Sequence, residues 1–345
     1  MEAPALIEIC EHYQFAVSVI VVSFNTRELL RECLRSLLAE CSRLPEGTRA
    51  EILVVDNASQ DGSADMVARD FARTSIPVRL IRGDSNLGFG AANNVGMEAA
   101  RGRYLVLLNS DAFFHTGALG RAIEHMDAEP AAGAGGACLI GRDGEMQFSG
   151  RMFHTVLRDA FVLTGLARVY SKSRLFAALD RTWADLGQTA EVDWVTGAFM
   201  ILRREALFKT GLFDPRFFLY YDEVDLCQRI QQAGFHVMYW PDVVVTHLGG
   251  ESSRQVPLTF SESAAQVVLW RMRSTLLYYR KHYGWQAWLA RWLEGGIYIA
   301  RRARNHNSAD PRRRERAGEA AVLLSLLRQA WKETRGGRAS PPRPW

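Results

Sequence analysis

Four apolar runs, each leading into a cluster of short polar residues, constrain this chain more than any other feature. Val17–Val22, Glu51–Val55, Val78–Ile81 and Tyr104–Leu108 read as strands. Between them lie helical patterns: Thr26–Ala39, with Leu29, Leu30, Leu34, Leu37 and Leu38 on one side, Gly62–Phe71, and the alanine-rich Gly88–Ala100. The apolar runs are continuous rather than alternating, which suits strands covered on both faces of a parallel sheet. The β-α-β-α rhythm requires the same architecture. Sheets of this kind bind ligands beyond the carboxyl ends of their strands.

Those ends are polar in all four cases. They are Ser23-Phe24-Asn25, Asp56-Asn57-Ala58-Ser59-Gln60-Asp61-Gly62-Ser63, Gly83-Asp84-Ser85-Asn86-Leu87-Gly88 and Asn109-Ser110-Asp111. Caps and turns explain any one such cluster; four on one edge describe a polar rim. Asp111, at a strand tip, suits a hard divalent cation that bridges phosphates, and suits equally a cap for the 116–128 segment. His247 follows the apolar run Val243–Thr246 and can supply an imidazole to the same ion or a strand-end hydrogen bond. Asp56 can accept the imide N–H of a pyrimidine, or cap the helix near Asp61. Gly88-Phe89-Gly90 lacks the third glycine of a dinucleotide fingerprint, and no P-loop or G-x-S-x-G elbow is present.

The second half carries a different signal. Phe217-Phe218-Leu219-Tyr220-Tyr221 runs directly into Asp222, Glu223 and Asp225. Like charges beside bulky apolar groups fit a walled pocket that holds a carboxylate, or an acidic first helical turn favoured by the helix dipole. The helix is expected over Asp222–Ala233. Trp194-Val195-Thr196-Gly197-Ala198-Phe199 joins an indole to a small-residue turn that lets backbone approach a ligand or packs tightly as a strand. Phe235–Tyr239 and Val243–Thr246 read as two strands, and 141–192 as an insertion without a strand pattern. From about 261 the chain reads as helical.

Composition excludes several classes. The five cysteines are scattered without a CxxC pair, against both a zinc site and a disulfide framework. No run of apolar residues is long enough to span a bilayer, and Met1–Phe15 lacks a signal-peptide pattern. The net charge of +4 is local: residues 301–345 hold twelve Lys/Arg against four Asp/Glu. Without a reading element, that tail does not argue for nucleic-acid binding. Segment 264–303 mixes Trp270, Tyr278, Tyr279, Tyr283, Trp285, Trp288, Trp292 and Tyr298 with arginines, which suits a membrane interface carrying anionic lipid, or a helical subdomain packed on the catalytic core. Residues 304–316 and Gly336–Trp345 read as disordered.

Together these motifs resemble glycosyltransferase family 2, with the GT-A fold. The resemblance rests on Val17–Asn25, Val54–Ser63, Asn86–Gly96 and Leu107–Asp111. It continues through Gly197-Ala198-Phe199, Gly211–Phe218, the acidic cluster, Asp225–Arg229 and His247. Asn86–Gly96 followed by Leu107–Asp111 is similar to a rhamnosyltransferase-like branch. The resemblance covers residues 16–255. It implies an α/β, Rossmann-like, mostly parallel sheet flanked by helices, with a C-terminal helical extension. The implied organisation is a catalytic domain over 1–255 (nucleotide-sugar half 16–140, acceptor half 141–255), an extension over 256–303 and a tail over 304–345.

The same resemblance implies an inverting sugar transfer from a dTDP- or UDP-linked donor, rhamnose favoured, to a saccharide or lipid-linked saccharide, with Mg2+ or Mn2+. Asp56 would contact the nucleobase, and Asp111 and His247 the metal. Ser23, Asn25, Asn57, Asn86, Asn94, Asn109, Trp194 and Gly197 would line the donor site. Two departures stand out: Asn109 replaces the first acid of the DxD-type motif, and the usual Glu-Asp order is reversed to Asp222-Glu223. The aligned base is Glu223, with Asp222 beside it. The expected location is cytoplasmic, at the inner face of the membrane. A catalytically degenerate sugar-nucleotide-binding protein is the alternative, as is a transferase using UDP-galactofuranose or a UDP-hexose.

Overall fold

The computed structural model describes residues 13–249 and 260–341, apart from the side chains of 260–264. It divides into two compact units. Met1–Arg151, Asp185–Phe213 and Leu226–Gln255 form one; Met152–Ala184, Asp214–Asp225 and Val256–Trp345 form the other. This interleaved division differs from the sequential one expected, whose boundary at 255 lies outside the described residues.

The first unit holds every described strand. The first four, β1 (Phe15–Ser23), β2 (Ala50–Asp56), β3 (Val78–Arg82) and β4 (Gly102–Asn109), pair in parallel in the order β3-β2-β1-β4. The helices between them are α1 (Arg27–Cys41), α2 (Ser63–Asp70) and α3 (Phe89–Ala99). Leu30, Leu34 and Leu37 of α1 are fully buried against Val17, Val19, Val21 and Val106 in one core. These elements match the sequence expectation to within a few residues.

The chain continues through β5 (Ala112–Phe114), α4 (Ala118–Ala128), β6 (Ala132–Ile140), β7 (Met146–Gln147) and β8 (Gly150–Arg151), of which β8 pairs with a later strand in a separate two-stranded sheet. Later come β9 (Ala190–Glu191), β10 (Trp194–Val195), β11 (Phe199–Arg203), α7 (Arg204–Thr210) and β12 (His236–His247), after α5 (Val156–Thr164) and α6 (Leu166–Val169) of the other unit. The order is β3-β2-β1-β4-β11-β6-β12-β5, with β11 and β5 antiparallel to their neighbours. Two readings are corrected here. Phe235–Tyr239 and Val243–Thr246 are one strand, β12, with an irregularity between Trp240 and Val244. And β6, central to the sheet, had no strand signature because small residues dominate Ala-Gly-Ala-Gly-Gly-Ala. The cause is steric: a Cβ on Gly135 would collide with the Trp240 ring, and one on Gly136 would lie 2.6 Å from Val195. Large neighbours supply the bulk that the strand omits.

The second unit is helical. It contains α5, α6, the segment Asp214–Asp225 that opens α8 (Asp222–Gln232), then α9 (Phe260–Tyr283), α10 (Gln286–Asn305) and α11 (Pro311–Glu333). Its core joins Leu269, Met272, Leu276, Tyr298, Leu324, Leu327 and Ala330. Of the stretch 304–316, read as disordered, Arg304 and Asn305 end α10 and residues 311–316 open helix α11. Asp310 caps it by accepting from Arg312 N at 3.0 Å, Pro311 starts it, and Ala317, Ala320, Leu324, Leu327 and Ala330 make its buried stripe. The run Arg312–Arg316 hid this pattern at its first turn. Half of the aromatic set in 264–303 is also core: Trp270, Tyr278, Tyr279 and Tyr298 are buried. Among the described residues no helix is long and apolar enough to cross a membrane.

Candidate active site

Strand register builds the polar edge. Ser23 of β1 pairs with Asp56 of β2, Asp56 with Arg82 of β3, and Val22 with Asn109 of β4, so the last residues of three strands stand side by side. Antiparallel pairing of β12 with β5 sets His247 opposite Ala112, and Leu248 N donates to Asp111 O at 3.1 Å. His247 therefore reaches Asp111 from the far side of the sheet, across 136 positions of chain, through topology alone.

The chemistry gathers at Asn109, Asp111 and His247. His247 Nε2 lies 3.6 Å from Asp111 Oδ1 and 3.3 Å from Asn109 Nδ2. On the other side of the ring, Nδ1 lies 3.1 Å from Gln147 Oε1. Gln147 Nε2 donates to the His247 carbonyl at 3.1 Å, and a carbonyl only accepts, so the amide orientation is fixed. Nδ1 must then carry the proton, and the Nε2 lone pair faces Asp111. Burial lowers the His247 pKa below the usual imidazole value, while the Asp111 charge opposes that shift. The ring is thus neutral at ordinary pH. Gln147 had no sequence signal, since it sits in the region without a strand pattern.

Asp56 is buried, with 4% of its surface exposed. Its Oδ2 accepts from Ser59 N at 3.1 Å, while Oδ1 is buried without a hydrogen-bond partner among the described residues. A buried carboxylate oxygen is costly to leave unmet. Asp56 makes no bond to the following helix: Asp61 accepts from its first residue, Ser63 N, at 3.0 Å, and also from Arg27 N, at the start of α1, at 2.8 Å.

Several expected donor residues also brace the loops that carry them. Asn57 Nδ2 donates to Asn86 Oδ1 at 2.8 Å, Leu87 N to Asn57 Oδ1 at 2.9 Å, and Gly88 N to Asn86 Oδ1 at 2.9 Å. Asn25, with φ of 54°, accepts from Gln60 N at 2.7 Å. Ser23 Oγ bonds to Thr26, which donates to Ser110 at 2.9 Å. Asn94 grips both backbone groups of Phe213, at 3.0 and 2.8 Å. The close approach expected at Gly197 exists, but its partner is Phe89, whose ring would lie 2.5 Å from an added Cβ. Trp194 is buried, with the Arg151 guanidinium 5.4 Å from its ring.

The acidic turn belongs to the helical unit. Tyr220 and Tyr221, with φ of 67° and 64°, place two consecutive bulky residues in the left-handed region directly before Asp222. Tyr221 is held by the His154 ring, 4.6 Å between centroids, with its hydroxyl 3.2 Å from His154 Nδ1. His154 Nδ1 in turn donates to Asp159 at 2.8 Å, and Tyr279 donates to the other Asp159 oxygen at 2.8 Å. Asp222 and Asp225 are buried, whereas Glu223 is only partly so. Asp225 meets Lys281 Nζ at 2.6 Å and His282 Nε2 at 2.7 Å. Lys281 also bonds to Asp214 at 2.8 Å. Burial alone would raise the Asp214 carboxyl, but hydrogen bonds from Arg216 and Lys281 hold it well below the usual range.

This α/β sheet presents Asp56, Asp111 and His247 along one polar edge, and the chain belongs to glycosyl transferase family 2: the family's model matches residues 18–207. It is a glycosyltransferase, rhamnosyltransferase-like in its similarities. N-acetylglucosaminyl-diphospho-decaprenol L-rhamnosyltransferase of Mycobacterium tuberculosis is 26% identical over 294 residues, covering 81% of this chain and 90% of that protein. The mannosyltransferase PcManGT of Pyrobaculum calidifontis, solved with GDP-Man and Mn2+, superposes with a TM-score of 0.56 at 17% identity, covering 96% of this chain and 93% of that one. GalNAc-T7, solved with UDP, GalNAc and Mn2+, superposes with a TM-score of 0.55 at 14% identity, covering 95% of this chain and 58% of that one. These structures share the fold and bear out the GT-A expectation.

Proposed function

We propose that this glycosyltransferase moves a sugar, L-rhamnose favoured, from a dTDP- or UDP-linked donor to a saccharide or lipid-linked saccharide acceptor, with inversion at the anomeric carbon. The observation that carries the reading is the strand-edge group: a buried Asp56 oxygen without a partner among the described residues, at the end of β2, and, beyond β4 on the same edge, Asp111 with the Nε2 of His247 3.6 Å away. The mycobacterial relative, named for rhamnosyl transfer onto a decaprenol-linked sugar, supports the donor and acceptor class.

In this reading Asp56 accepts the imide N–H of the base through Oδ1. Asp111 and His247 fit a divalent cation, Mg2+ or Mn2+: one carboxylate and one neutral imidazole leave the remaining positions to water and diphosphate oxygens. Among the described residues no cluster of three His, Cys, Asp or Glu side chains is arranged to hold an ion without such help. When bound, the cation offsets charge on the departing diphosphate. Asn109 contributes no charge, and its amide Nδ2 lies 3.3 Å from His247 Nε2.

Glu223 is the base. Asp225 is committed to Lys281 and His282, and Asp222 is buried, whereas Glu223 retains access to solvent. Glu223 takes the acceptor hydroxyl proton as that oxygen attacks C1. The C1–O bond to the diphosphate breaks, and its electron pair leaves with the nucleotide. A positioned base contributes about 10²–10⁴ in rate. On this reading the chain works at the inner face of the cytoplasmic membrane, in peripheral contact with it.

The test is a thermal-shift and turnover screen of dTDP-rhamnose, UDP-galactofuranose, UDP-glucose, UDP-N-acetylglucosamine and GDP-mannose with Mn2+, with and without a polyprenyl-diphosphate-linked N-acetylglucosamine. Stabilisation by one donor, with metal-dependent release of its nucleotide, is expected. Stabilisation by a donor without release of its nucleotide, even with the acceptor present, would replace the transferase reading with a degenerate binding protein, and silence toward every donor would overturn both.

A further inference from the structure

Helix α10 is apolar on two faces. Ala287, Ala290, Glu294 and Tyr298, spaced by three and four residues, are its buried stripe. Trp285, just before the helix, and Trp288, Trp292 and Ile299 within it are spaced by three, four and seven. That puts them on a second stripe, rotated well away from the first. These four side chains are 66%, 50%, 53% and 55% exposed. Trp288 and Trp292 pack on each other with centroids 5.4 Å apart, so the patch is contiguous. Scattered exposed apolar residues are ordinary; a row of indoles on one helix face is not.

Two observations say what covers it. Residues 301–316, which end α10 and begin α11, hold seven arginines (301, 302, 304, 312, 313, 314 and 316) against Asp310 and Glu315, and all seven are exposed. This basic stretch directly continues the helix that carries the indoles and favours an anionic partner. A second copy would bring an equally basic stretch, and like charges would oppose pairing. The apolar residues are also mostly tryptophan, whose ring is apolar with one polar N–H and favours the boundary between headgroups and acyl chains.

We propose that the outward face of α10 lies in the interfacial layer of an anionic phospholipid bilayer, with Trp285, Trp288, Trp292 and Ile299 inserted and Arg301–Arg316 on the headgroups. The proposal deepens the membrane-surface reading above and rests on it. It narrows the contact to one helix face, because Trp270, Tyr278, Tyr279 and Tyr298, which share the aromatic signature, are core.

The experiment uses the full chain with vesicles of phosphatidylcholine alone or mixed with phosphatidylglycerol, read by co-sedimentation and by quenching of tryptophan emission with brominated lipid. Binding to the anionic vesicles, weakened by salt, is expected. The variant Trp285→Ala/Trp288→Ala/Trp292→Ala should lose at least about tenfold in partitioning and most of the quenching. Arg312→Glu/Arg313→Glu, which leaves the indoles in place, should lose the preference for anionic lipid. If the triple variant melts early, the arginine variant alone decides. Failure of the wild type to bind anionic vesicles, or binding that neither variant weakens, overturns the proposal. So does a dimer by light scattering that the triple variant dissolves while vesicle binding persists. Donor-induced thermal stabilisation, measured without lipid, reports on the transferase reading separately, so either can fail while the other stands.

Discussion

Asp56 and Asp111 stand at the ends of strands and are set by their own sheet: Asp56 by Ser59 three residues on, Asp111 by the pairing of β12 with β5. Asp222, Glu223 and Asp225 stand on the first turn of a helix and depend on distant partners. Tyr221 leans on His154, 67 residues away in sequence, and Asp225 on His282, 57 residues away. The first arrangement survives as long as the sheet does. The second exists only when α5 and α9 are in place, so the proposed base is tied to the folding of the helical unit. Nucleotide recognition should therefore be robust to damage in the helices, and transfer should not.

The largest expected effect breaks the comparison at the base. Glu223→Gln should lower transfer by about 10²–10⁴ while donor-induced stabilisation is unchanged. Asp222→Asn should cost less in turnover. If Glu223→Gln retains transfer and Asp222→Asn abolishes it, the assignment passes to the buried acid.

At the strand edge, Gln147→Ala removes the group that fixes the His247 tautomer. Affinity for Mn2+, followed by nucleotide titration at varied metal, should fall by about 10–100-fold. The wild-type pH profile sharpens the point. Burial holds His247 below the usual imidazole value of about 6.5, so the neutral ring persists to lower pH. The depressed value also means that its contribution to stability is present above about 6.5 and lost as pH falls through the folded value. Metal affinity should hold through pH 6.5 and decline only below it; a decline centred at or above 6.5 would contradict the buried, neutral ring. A smaller effect, about tenfold in donor affinity, is expected for Asp56→Ala, with relaxed choice between uracil or thymine and guanine nucleotides in calorimetry.

The same contrast explains what could be read from sequence. Ser23, Asp56, Asn109 and Asp111 were legible because a strand and its polar end are contiguous in the chain. Asn57, Asn86 and Asn94 stand out through their motifs, but the bonds their amides make to one another and to Phe213 join loops distant in sequence and are not legible there. Gln147, His154 and His282 were invisible, since each acts through a partner 57 to 100 residues away. Strand β6 was missed because its bulk is lent by Trp240 and Val195, and α11 because its arginines obscured an otherwise regular apolar stripe.

The finest test lies between the two regions' logics. Tyr221→Phe keeps the ring against His154 and deletes only the hydroxyl contact. If the left-handed pair Tyr220–Tyr221 is held chiefly by ring packing, the variant should lose about 1 kcal/mol or less of stability. Turnover should fall only a few-fold, at constant donor affinity. His154→Ala removes the ring and the link to Asp159 together, and should cost more in both. Equal losses in the two variants would instead make the hydroxyl the clamp. No loss of turnover in either would separate the strained tyrosines from the acid turn they precede, and with it the claim that the base is set by the helical unit.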